Sequence, residues 1–275
     1  MKRLFLMSAV CFATAGWAQV KMPAPSPTQT LKQDFGLSSI EVTYSRPATR
    51  GRKVIGDLVP YNKLWRTGAN AATLIRFHDD VMIKGKKIDS GSYVIYTIPH
   101  EESWDIILNK GLTNWGASGY TDSLDVARFT VESKKIKPTV ENFTIQFTNI
   151  TPSSCELQLS WENTMVRLPI AAQINDRIRS QIEAALQTDK KPYWQAAQFY
   201  HEYEKNDKKA LDYVTEATQQ NPKAYWIWLY KAKIEHAMGN KTAAMASSKK
   251  SLELAKEDQN DDYIKMNEEL QSKLK

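Results

Sequence analysis

The residues of this sequence whose types could do chemistry are concentrated between positions 44 and 73. Four arginines share this stretch with other polar and aromatic residues: Arg46, Arg50, Arg52, Arg66, Tyr61, Trp65 and Asn70. A guanidinium group presents a planar fork of donors that matches a carboxylate, phosphate or sulfate, and an indole ring offers a flat face to a sugar or a cation. The stretch therefore predicts a binding site for an anionic small molecule or an acidic glycan. Alternatively, the arginines cap loop carbonyls and stack on the tryptophan, and the sequence leaves this alternative open.

A second polar loop contains Asn109, Lys110 and Trp115 and follows a strand-like run. If both loops lie at the same end of the domain, Lys110 and Trp115 extend the predicted binding surface. Otherwise, Trp115 covers an open end of the core and Asn109 caps a turn. Connections as long as the first one commonly carry function or contain short helices of their own.

The elements that must position these loops are β-strands. Ile40, Val42 and Tyr44 alternate with polar residues, as expected for a strand with one buried face. Further strand-like runs are 73–78, 81–84, 93–98, 104–108, 126–131, 143–147, 156–161 and 165–170. Turn residues separate these runs at nearly regular spacing, which predicts an antiparallel β-sandwich. Residues 81–99 form the clearest predicted hairpin.

The motifs of this first half resemble those of a family of exported bacterial proteins known only as a domain of unknown function. The shared motifs are Tyr-Ser-Arg-Pro (44–47), Gly-Arg (51–52), Trp-Arg-Thr-Gly-Ala-Asn (65–70), Gly85-Lys86, Gly91-Ser92-Tyr93, Asn109-Lys110 and Trp115-Gly116. The resemblance extends over about residues 25–170 and implies a sandwich domain in a cell-envelope protein, often with helical repeats attached. The family brings no established activity, so its motif positions only mark ligand-binding candidates. These candidates are Arg46, Arg52, Trp65, Arg66, Asn70, Thr73, Asn109, Lys110 and Trp115.

The second half of the chain changes to helical patterns with an internal repeat. Trp194 and Trp228 lie 34 residues apart, and so do Ala210 and Ala244. This spacing resembles two degenerate tetratricopeptide units, which are stacked helix pairs that present a binding surface. Two further helices flank them. Their apolar faces are formed by Ile174, Ile178, Ile182 and Leu186 in a connecting helix, and by Tyr263, Met266, Leu270 and Leu274 in a C-terminal capping helix.

The predicted fold class is α+β and multidomain, with an antiparallel β-sandwich followed by a small tetratricopeptide-like helical array. The predicted parts are a signal peptide (1–18), a linker (19–27), the sandwich (28–171), a connecting helix (172–190), and two helix pairs with their capping helix (191–275). Each of the two large parts is long enough to form its own core.

The first residues of the chain predict export. Lys2 and Arg3 precede an apolar run, and residues 16–18 supply small residues at both positions that a signal peptidase reads. Cleavage near Ala18 would give a periplasmic or extracellular protein whose one cysteine is Cys155, which excludes an internal disulfide. No later run is apolar enough, over a sufficient length, to predict a transmembrane segment.

The charge of the chain argues against nucleic acid as a partner. The formal net charge of +6 falls to +4 without Lys2 and Arg3, and no block of five or six like charges occurs. Nucleic-acid-binding domains concentrate a larger basic excess on one face. Any recognition of an anion must therefore be local.

The sequence carries no signature of catalysis. Its four histidines show no metal-ligand spacing, and no nucleophile elbow, phosphate-binding loop or dinucleotide fingerprint occurs. We predict no metal site and no cofactor. We favour a non-enzymatic binding or scaffolding protein that takes an anionic ligand on the sandwich and a protein partner on the repeats. One alternative is a hydrolase of an envelope polymer, with Asp57, His78 or Asp79 as catalytic candidates, and another is a structural role in which only the repeats recognise a partner.

Overall fold

The computed structural model describes residues 22–275, which form two compact units. The β unit contains residues up to 34, 38–151 and 155–170, and the helical unit contains residues 35–37, 152–154 and 171–275. The predicted signal peptide lies outside the described residues. The prediction of an antiparallel β domain followed by a helical array is confirmed.

Nine strands form the β unit. They are β1 (Thr28–Phe35), β2 (Ser38–Ser45), β3 (Thr73–Phe77), β4 (Val81–Ile83), β5 (Lys86–Ile88), β6 (Gly91–Pro99), β7 (Ser103–Asn109), β8 (Asp125–Thr148) and β9 (Ser154–Ala172). Their order across the sheet is β1-β2-β3-β6-β7-β8-β9-β4-β5. A short 3-10 helix, Asp122–Leu124, precedes β8.

The long strand β8 belongs to two layers of this sheet. Its residues 125–132 pair with β7, and residues between 133 and 148 pair with β9, with irregularities between Lys135 and Val140 and between Val140 and Thr144. The layers face each other, because the ring of Trp65 packs 5.9 Å from that of Trp104 on β7 and 5.7 Å from that of Trp161 on β9. The core of the β unit lies between them and includes these large rings.

Alternating side chains explain why the strands have one buried face. In β2, Ile40, Val42 and Tyr44 are at most 2% exposed, whereas Glu41 and Thr43 are more accessible. A strand turns successive side chains to opposite faces, so this pattern places the apolar set in the core. The same alternation buries Cys155 on β9, and burial raises the pKa of its thiol to about 11. A thiol that resists ionisation is a poor nucleophile, as expected for a core residue.

Three features of the strand prediction are wrong. The runs 126–131 and 143–147 belong to one continuous strand, β8, and the runs 156–161 and 165–170 belong to β9. The predicted hairpin 81–99 does not form, because β4 turns back at Lys84 and Gly85 to pair with β5, while β6 pairs with β3 and β7. Strands β1 and β5 were not predicted.

Six helices form most of the helical unit. They are α1 (Asn175–Ala185), α2 (Tyr193–Glu202), α3 (Asp207–Gln220), α4 (Tyr225–Ala237), α5 (Lys241–Glu257) and α6 (Asp261–Leu274). Successive helices pack on one another. Alanines are fully buried at these contacts, namely Ala196, Ala197, Ala210, Ala217, Ala232 and Ala244. Their small side chains allow the helix axes to approach closely.

The helix ends and the last helix show how the sequence sets local structure. Lys205 and Gly239, which lie 34 residues apart, both have left-handed backbone, with φ of 54° and 80°. Such a residue commonly ends a helix, and glycine adopts this conformation without strain. In α6, Leu270 and Leu274 are buried as predicted, but Met266 is 43% exposed. The neighbouring Asn267 is buried instead.

The burial of Asn267 is tolerated because its side-chain amide group is fully hydrogen-bonded. It donates to the Ser251 hydroxyl at 2.9 Å and to the Tyr263 carbonyl at 2.8 Å, and its oxygen accepts from the Ser248 hydroxyl at 2.9 Å. A buried amide is tolerated when its donors and acceptor are satisfied in this way.

Within residues 22–275, no helix combines the length and the apolar character needed to cross a membrane.

Candidate functional site

The connection between β2 and β3, residues 46–72, is attached to β8 and β9 by two glutamates. Glu141 on β8 accepts hydrogen bonds from the Thr49 hydroxyl and from the backbone N–H of Arg50 at 2.9 Å. Glu162 on β9 accepts from the backbone N–H groups of Val54, at 3.0 Å, and Ile55. These carboxylates satisfy loop donors that a long connection would otherwise leave unpaired. The connection therefore lies in a fixed position against the sheet.

The attachment at Glu141 leads to a prediction about pH. The hydrogen bonds from Thr49 and Arg50 hold the pKa of the Glu141 carboxyl below its ordinary value. A carboxyl with a depressed pKa in the folded state contributes stability above its unfolded-state pKa, and this contribution disappears as the pH falls through the folded-state pKa. We expect Glu141→Gln to lower the melting temperature near pH 7, and the difference from the wild type to shrink below about pH 4.

Melting curves measured between pH 3 and pH 7 would check this expectation. The control is Glu101→Gln, which removes an exposed carboxylate elsewhere in the β unit. A constant difference between Glu141→Gln and the wild type across the whole range would contradict the proposed role of the Glu141 charge.

Trp65 anchors the later part of the connection in the core. Its backbone exchanges two hydrogen bonds with Thr97 on β6, at 2.7 and 2.9 Å. Its ring stacks on Trp161 at an interplanar angle of 17°, and it contacts the Phe143 ring edge-on at 5.0 Å. Aromatic pairs in these geometries add stability beyond the area that they bury.

A tight turn after Trp65 fixes the neighbouring backbone. Thr67 and Gly68 have φ of 58° and 150°, and the Gly68 carbonyl accepts a hydrogen bond from Nε1 of Trp65 at 3.1 Å. The hydroxyl of Thr73, at the start of β3, donates to the Thr67 carbonyl at 2.5 Å. A Cβ atom added at Gly68 would lie 2.9 Å from the Ser45 carbonyl oxygen, so this position requires glycine.

A cleft of about 390 Å³ opens beside this turn. Its lining residues are Ser26, Pro47, Arg52, Leu58, Val59, Pro60, Lys63, Leu64, Trp65, Arg66, Gly68, Ala69, Ala117 and Trp161. Three of them are cationic, and none of these lining residues is a carboxylate or a histidine. The remaining lining is mainly apolar or aromatic. The cleft therefore combines positive charge with an apolar surface.

Arg66 is the cation with the most unusual surroundings. Its Nε atom is buried and has no hydrogen-bond partner within the described chain. The backbone of Gly116 lies against its side chain, since a Cβ atom added there would be 2.9 Å from Nη1 of Arg66. A buried polar atom without a partner costs free energy, and in native structures such atoms are rare. The half-buried Arg66 side chain also lines the cleft, so its guanidinium group is a candidate to bind an anion there.

The other arginines of the connection bind backbone carbonyls. Arg46 donates to the Phe143 carbonyl at 3.1 Å and to the Thr144 hydroxyl at 2.9 Å. Arg52 donates to the carbonyls of Thr49 and Ala48 at 2.9 and 3.0 Å, although it also lines the cleft. Arg46 therefore caps loop and strand carbonyls, which is the alternative role that the sequence left open. Arg52 also caps carbonyls, and in addition its side chain lines the cleft.

The remaining candidates of the connection lie close to the cleft without lining it. Asn70 is exposed and donates to the Ser26 carbonyl at 3.2 Å and to the Ser45 hydroxyl at 3.3 Å. Thr73 is fully buried, and its hydroxyl is satisfied by the hydrogen bond to the Thr67 carbonyl. Both residues hold the strand ends and the lead segment beside the cleft, and neither lines it.

The second loop reaches the cleft only through its middle residues. Asn109 is fully buried, where its amide donates to the Thr121 carbonyl and the Asp125 carboxylate. The Lys110 ammonium lies 4.0 Å from the centre of the Tyr93 ring, away from the lining residues. Trp115 is 70% exposed and directly precedes Gly116. The structure thus brings Arg52, Trp65 and Arg66 together, with Trp115 next to residues that touch Arg66.

The candidates for hydrolysis do not line the cleft, although Asp57 directly precedes the lining residue Leu58. Asp57 is exposed on the connection and is not a lining residue of the cleft. His78 and Asp79 follow β3, where Asp79 accepts a hydrogen bond from the backbone N–H of Asp80. Asp80 in turn pairs with Lys87 at 2.8 Å. Among the described residues, no three His, Cys, Asp or Glu side chains are grouped closely enough to hold a metal ion.

Several lining residues were not predicted from the sequence. Lys63 and Leu58 belong to the same connection as Trp65, but a single lysine or leucine in a loop carries no pattern that marks it. Trp161 and Ala117 come from distant parts of the chain. The sequence pattern placed Trp161 on a strand but held no information on which loop it would meet.

Comparison with known proteins identifies the β unit by family. Residues 26–170 match the model of a family described as "Protein of unknown function (DUF2911)". Searches of curated proteins and of solved structures returned no match. The matched region extends from the lead segment that lines the cleft to the end of the buried part of β9, and it includes every lining residue. The chain therefore belongs to the DUF2911 family of proteins of unknown function.

Proposed function

We propose that the β unit binds an anionic ligand in the cleft beside Trp65, and that the protein acts by binding and not by catalysis. The observation that carries this proposal is the position of Arg66, which lines the cleft, joins no ion pair within the described residues and has a buried Nε atom without a partner there. An anion in the cleft would pair with the accessible part of its guanidinium group. A charge-assisted hydrogen bond of this kind is stronger than one between neutral groups.

The charges around the cleft support the same conclusion. Arg52, Lys63 and Arg66 line it, and none of them joins an ion pair in the described residues. Arg52 lies near enough to Glu141 to affect its pKa, so Lys63 and Arg66 are the less compensated cations. Unpaired cations in a partly desolvated cleft attract an anion more strongly than the same charges on an open surface.

The lining of the cleft favours binding over hydrolysis. General acid–base catalysis needs a titratable group within hydrogen-bond reach of the reacting atoms. The lining residues include no carboxylate and no histidine, and Asp57, His78 and Asp79 are not among them. An acidic small molecule or the acidic unit of a glycan remains the best match to this chemistry.

The predicted signal peptide and the helical unit extend the proposal to the whole protein. The sequence of residues 1–18 supports export, so the ligand would be met in the periplasm or outside the cell. The helices α2 to α5 would form the two tetratricopeptide-like units and would bind a protein partner through an exposed surface. The protein would then couple a ligand-binding domain to a scaffolding domain in the cell envelope.

The experiment that tests the proposed function compares ligand-induced stabilisation in two arginine variants. The mature protein is melted with sulfate, phosphate, acetate and glucuronate, and with glucose as a neutral control. A ligand at 100 times its dissociation constant stabilises the folded state by about 2.7 kcal/mol, which is readily detected. We expect stabilisation by at least one anion and none by glucose, and we expect Arg66→Gln to abolish it.

The matched control is Arg76→Gln, which removes an exposed arginine of β3 in the same unit. This variant should retain the stabilisation. Equal loss in both variants would indicate a general charge effect. Stabilisation that persists in Arg66→Gln would overturn the assignment of the site.

A further inference from the structure

The apolar part of the cleft allows the class of ligand to be narrowed. Leu58 lines the cleft and is 43% exposed, and Pro60, also in the lining, is exposed as well. Trp65 and Trp161 add aromatic surface to the lining. Exposed apolar surface in a concave site gains free energy when a ligand removes it from water. A bare inorganic anion would leave this surface exposed.

Trp115 adds a second apolar surface at the edge of the cleft. Its side chain is 70% exposed, which is unusual for so large an apolar group. The next residue, Gly116, lies against Arg66, and the one after it, Ala117, lines the cleft. Consecutive Cα atoms are about 3.8 Å apart, so the Trp115 backbone lies at the rim. An indole side chain attached there can reach a ligand held by Arg66.

We propose that the ligand is an amphipathic organic anion, in which one carboxylate or phosphate group is joined to an apolar body. Arg66 and Lys63 hold the anionic group, the apolar lining residues contact the body, and Trp115 covers it. This inference rests on the proposed function, because it needs the same cleft and the same arginine. It adds that affinity depends on the apolar body as well as on the charge.

The size of the cleft fits a single compact ligand. Its volume of about 390 Å³ lies near the lower end of the range of small-molecule pockets, which is about 300–1,000 Å³. Apolar and cationic residues line the same cleft, so one ligand can contact both. A ligand of this kind pairs with Arg66 and covers the exposed apolar surface in one step.

Titration calorimetry with two homologous series tests this inference on the mature protein. One series is acetate, butanoate, hexanoate and octanoate, and the other is inorganic phosphate, butyl phosphate and hexyl phosphate. Hexanamide is the neutral counterpart of hexanoate. We expect affinity in at least one series to rise about fourfold for each added methylene until the cleft is filled. Hexanamide should bind far more weakly than hexanoate.

Variants of two exposed tryptophans distinguish a specific contact between Trp115 and the ligand from nonspecific binding of the ligand to exposed aromatic side chains. We expect Trp115→Ala to weaken binding of the longest ligand about 2- to 10-fold and to leave acetate or inorganic phosphate unchanged. Trp226→Ala, which removes a 41% exposed tryptophan of the helical unit, should change neither. Trp115 is too exposed for its loss to unfold the β unit, so a weaker signal would report binding.

The outcomes distinguish the two proposals. If short and long anions bind equally and Arg66→Gln abolishes both, the anion site stands and the amphipathic ligand is overturned. Chain-length dependence that is the same in Trp115→Ala would remove Trp115 from the site. If no member of either series binds but sulfate or glucuronate stabilises the protein, only the amphipathic ligand is overturned; if these fail too, both proposals fail.

Discussion

Trp161→Ala is expected to lower the free energy of unfolding of the β unit by about 3–5 kcal/mol, the range for removing a buried aromatic side chain. Trp161 is 2% exposed and stacks on Trp65, with 5.7 Å between the ring centres. It also contacts Phe143 and donates from Nε1 to the Glu141 carbonyl at 3.2 Å. Its loss therefore removes packing and one of two hydrogen bonds to the Glu141 carbonyl, which also accepts from the backbone N–H of Thr49 at 2.9 Å.

The measurement is denaturant unfolding followed by the amide NMR signals of β-unit residues. Trp115→Ala is the matched control, because it makes the same chemical change at a 70% exposed position of the same unit. Its effect should stay within about 0.5 kcal/mol. A cost below about 1 kcal/mol for Trp161→Ala would mean that Trp65 is held in place by other contacts.

Gly68→Ala should destabilise the β unit by about 2–4 kcal/mol, because two effects add. The φ of 150° lies in a region that residues with a Cβ atom rarely adopt. In addition, the new Cβ atom would meet the Ser45 carbonyl oxygen at 2.9 Å, and a backbone atom cannot rotate away as a side chain can. The turn that carries Arg66 would have to move.

Gly85→Ala separates these two effects. Gly85 also has a positive φ, of 81°, but no atom lies within 4 Å of the position of its Cβ atom. Its substitution should cost only about 1 kcal/mol. Urea unfolding of both variants checks the difference. If Gly68→Ala and Gly85→Ala lower the free energy of unfolding equally, the backbone near Ser45 moves away from the new Cβ atom at no cost.

Strands with a clear core face were predictable from the sequence, and strands without one were not. Residues 126–131 and 143–147 alternate in a recognisable way. The part of β8 between them is polar and mostly exposed, so no hydrophobic pattern marks it as a strand. In this region β8 pairs with β9 only at Val140 between its two irregularities, and the end of the region at 141–143 bonds to the backbone of residues 47–49. β1 was missed for the same reason, since most of its side chains are partly or fully accessible.

The hairpin error has a local cause. Lys84 and Gly85 have φ of 46° and 81°, as in a two-residue turn that needs positive φ at both central positions. Asn-Gly and Asp-Gly are the strongest sequence signals for such a turn, and Lys-Gly is weaker. The partner strand, β5, has only three residues, of which one is buried. In the sequence, residues 85–91 therefore look like the loop of one hairpin, bracketed by Gly85 and by the turn residues 89–91.

The candidate site was predictable in composition but not in arrangement. The sequence indicated that arginines near Trp65 were either ligand-binding or capping residues. Which arginine has which role depends on distant backbone: the Phe143 carbonyl accepts from Arg46, whereas Gly116 covers Arg66. Lys63 was overlooked because a single lysine in a loop carries no pattern. Contacts between residues far apart in the chain set the roles of Arg46 and Arg66, whereas Arg52 binds the nearby carbonyls of Ala48 and Thr49.

The continuity of β8 has a mechanical consequence for the β unit. One backbone supplies hydrogen-bond partners to β7 with its first part and to β9 with its second, so the two ladders meet end to end on a single strand. Because the Trp65 ring also packs against Trp104 on β7 and Trp161 on β9, we expect the two layers to exchange their amide hydrogens as one cooperative unit. The cleft contains residues that contact both layers, so a ligand bound there would slow local opening throughout this unit. Ligand binding at one small site would then slow amide hydrogen exchange in both layers of the sandwich.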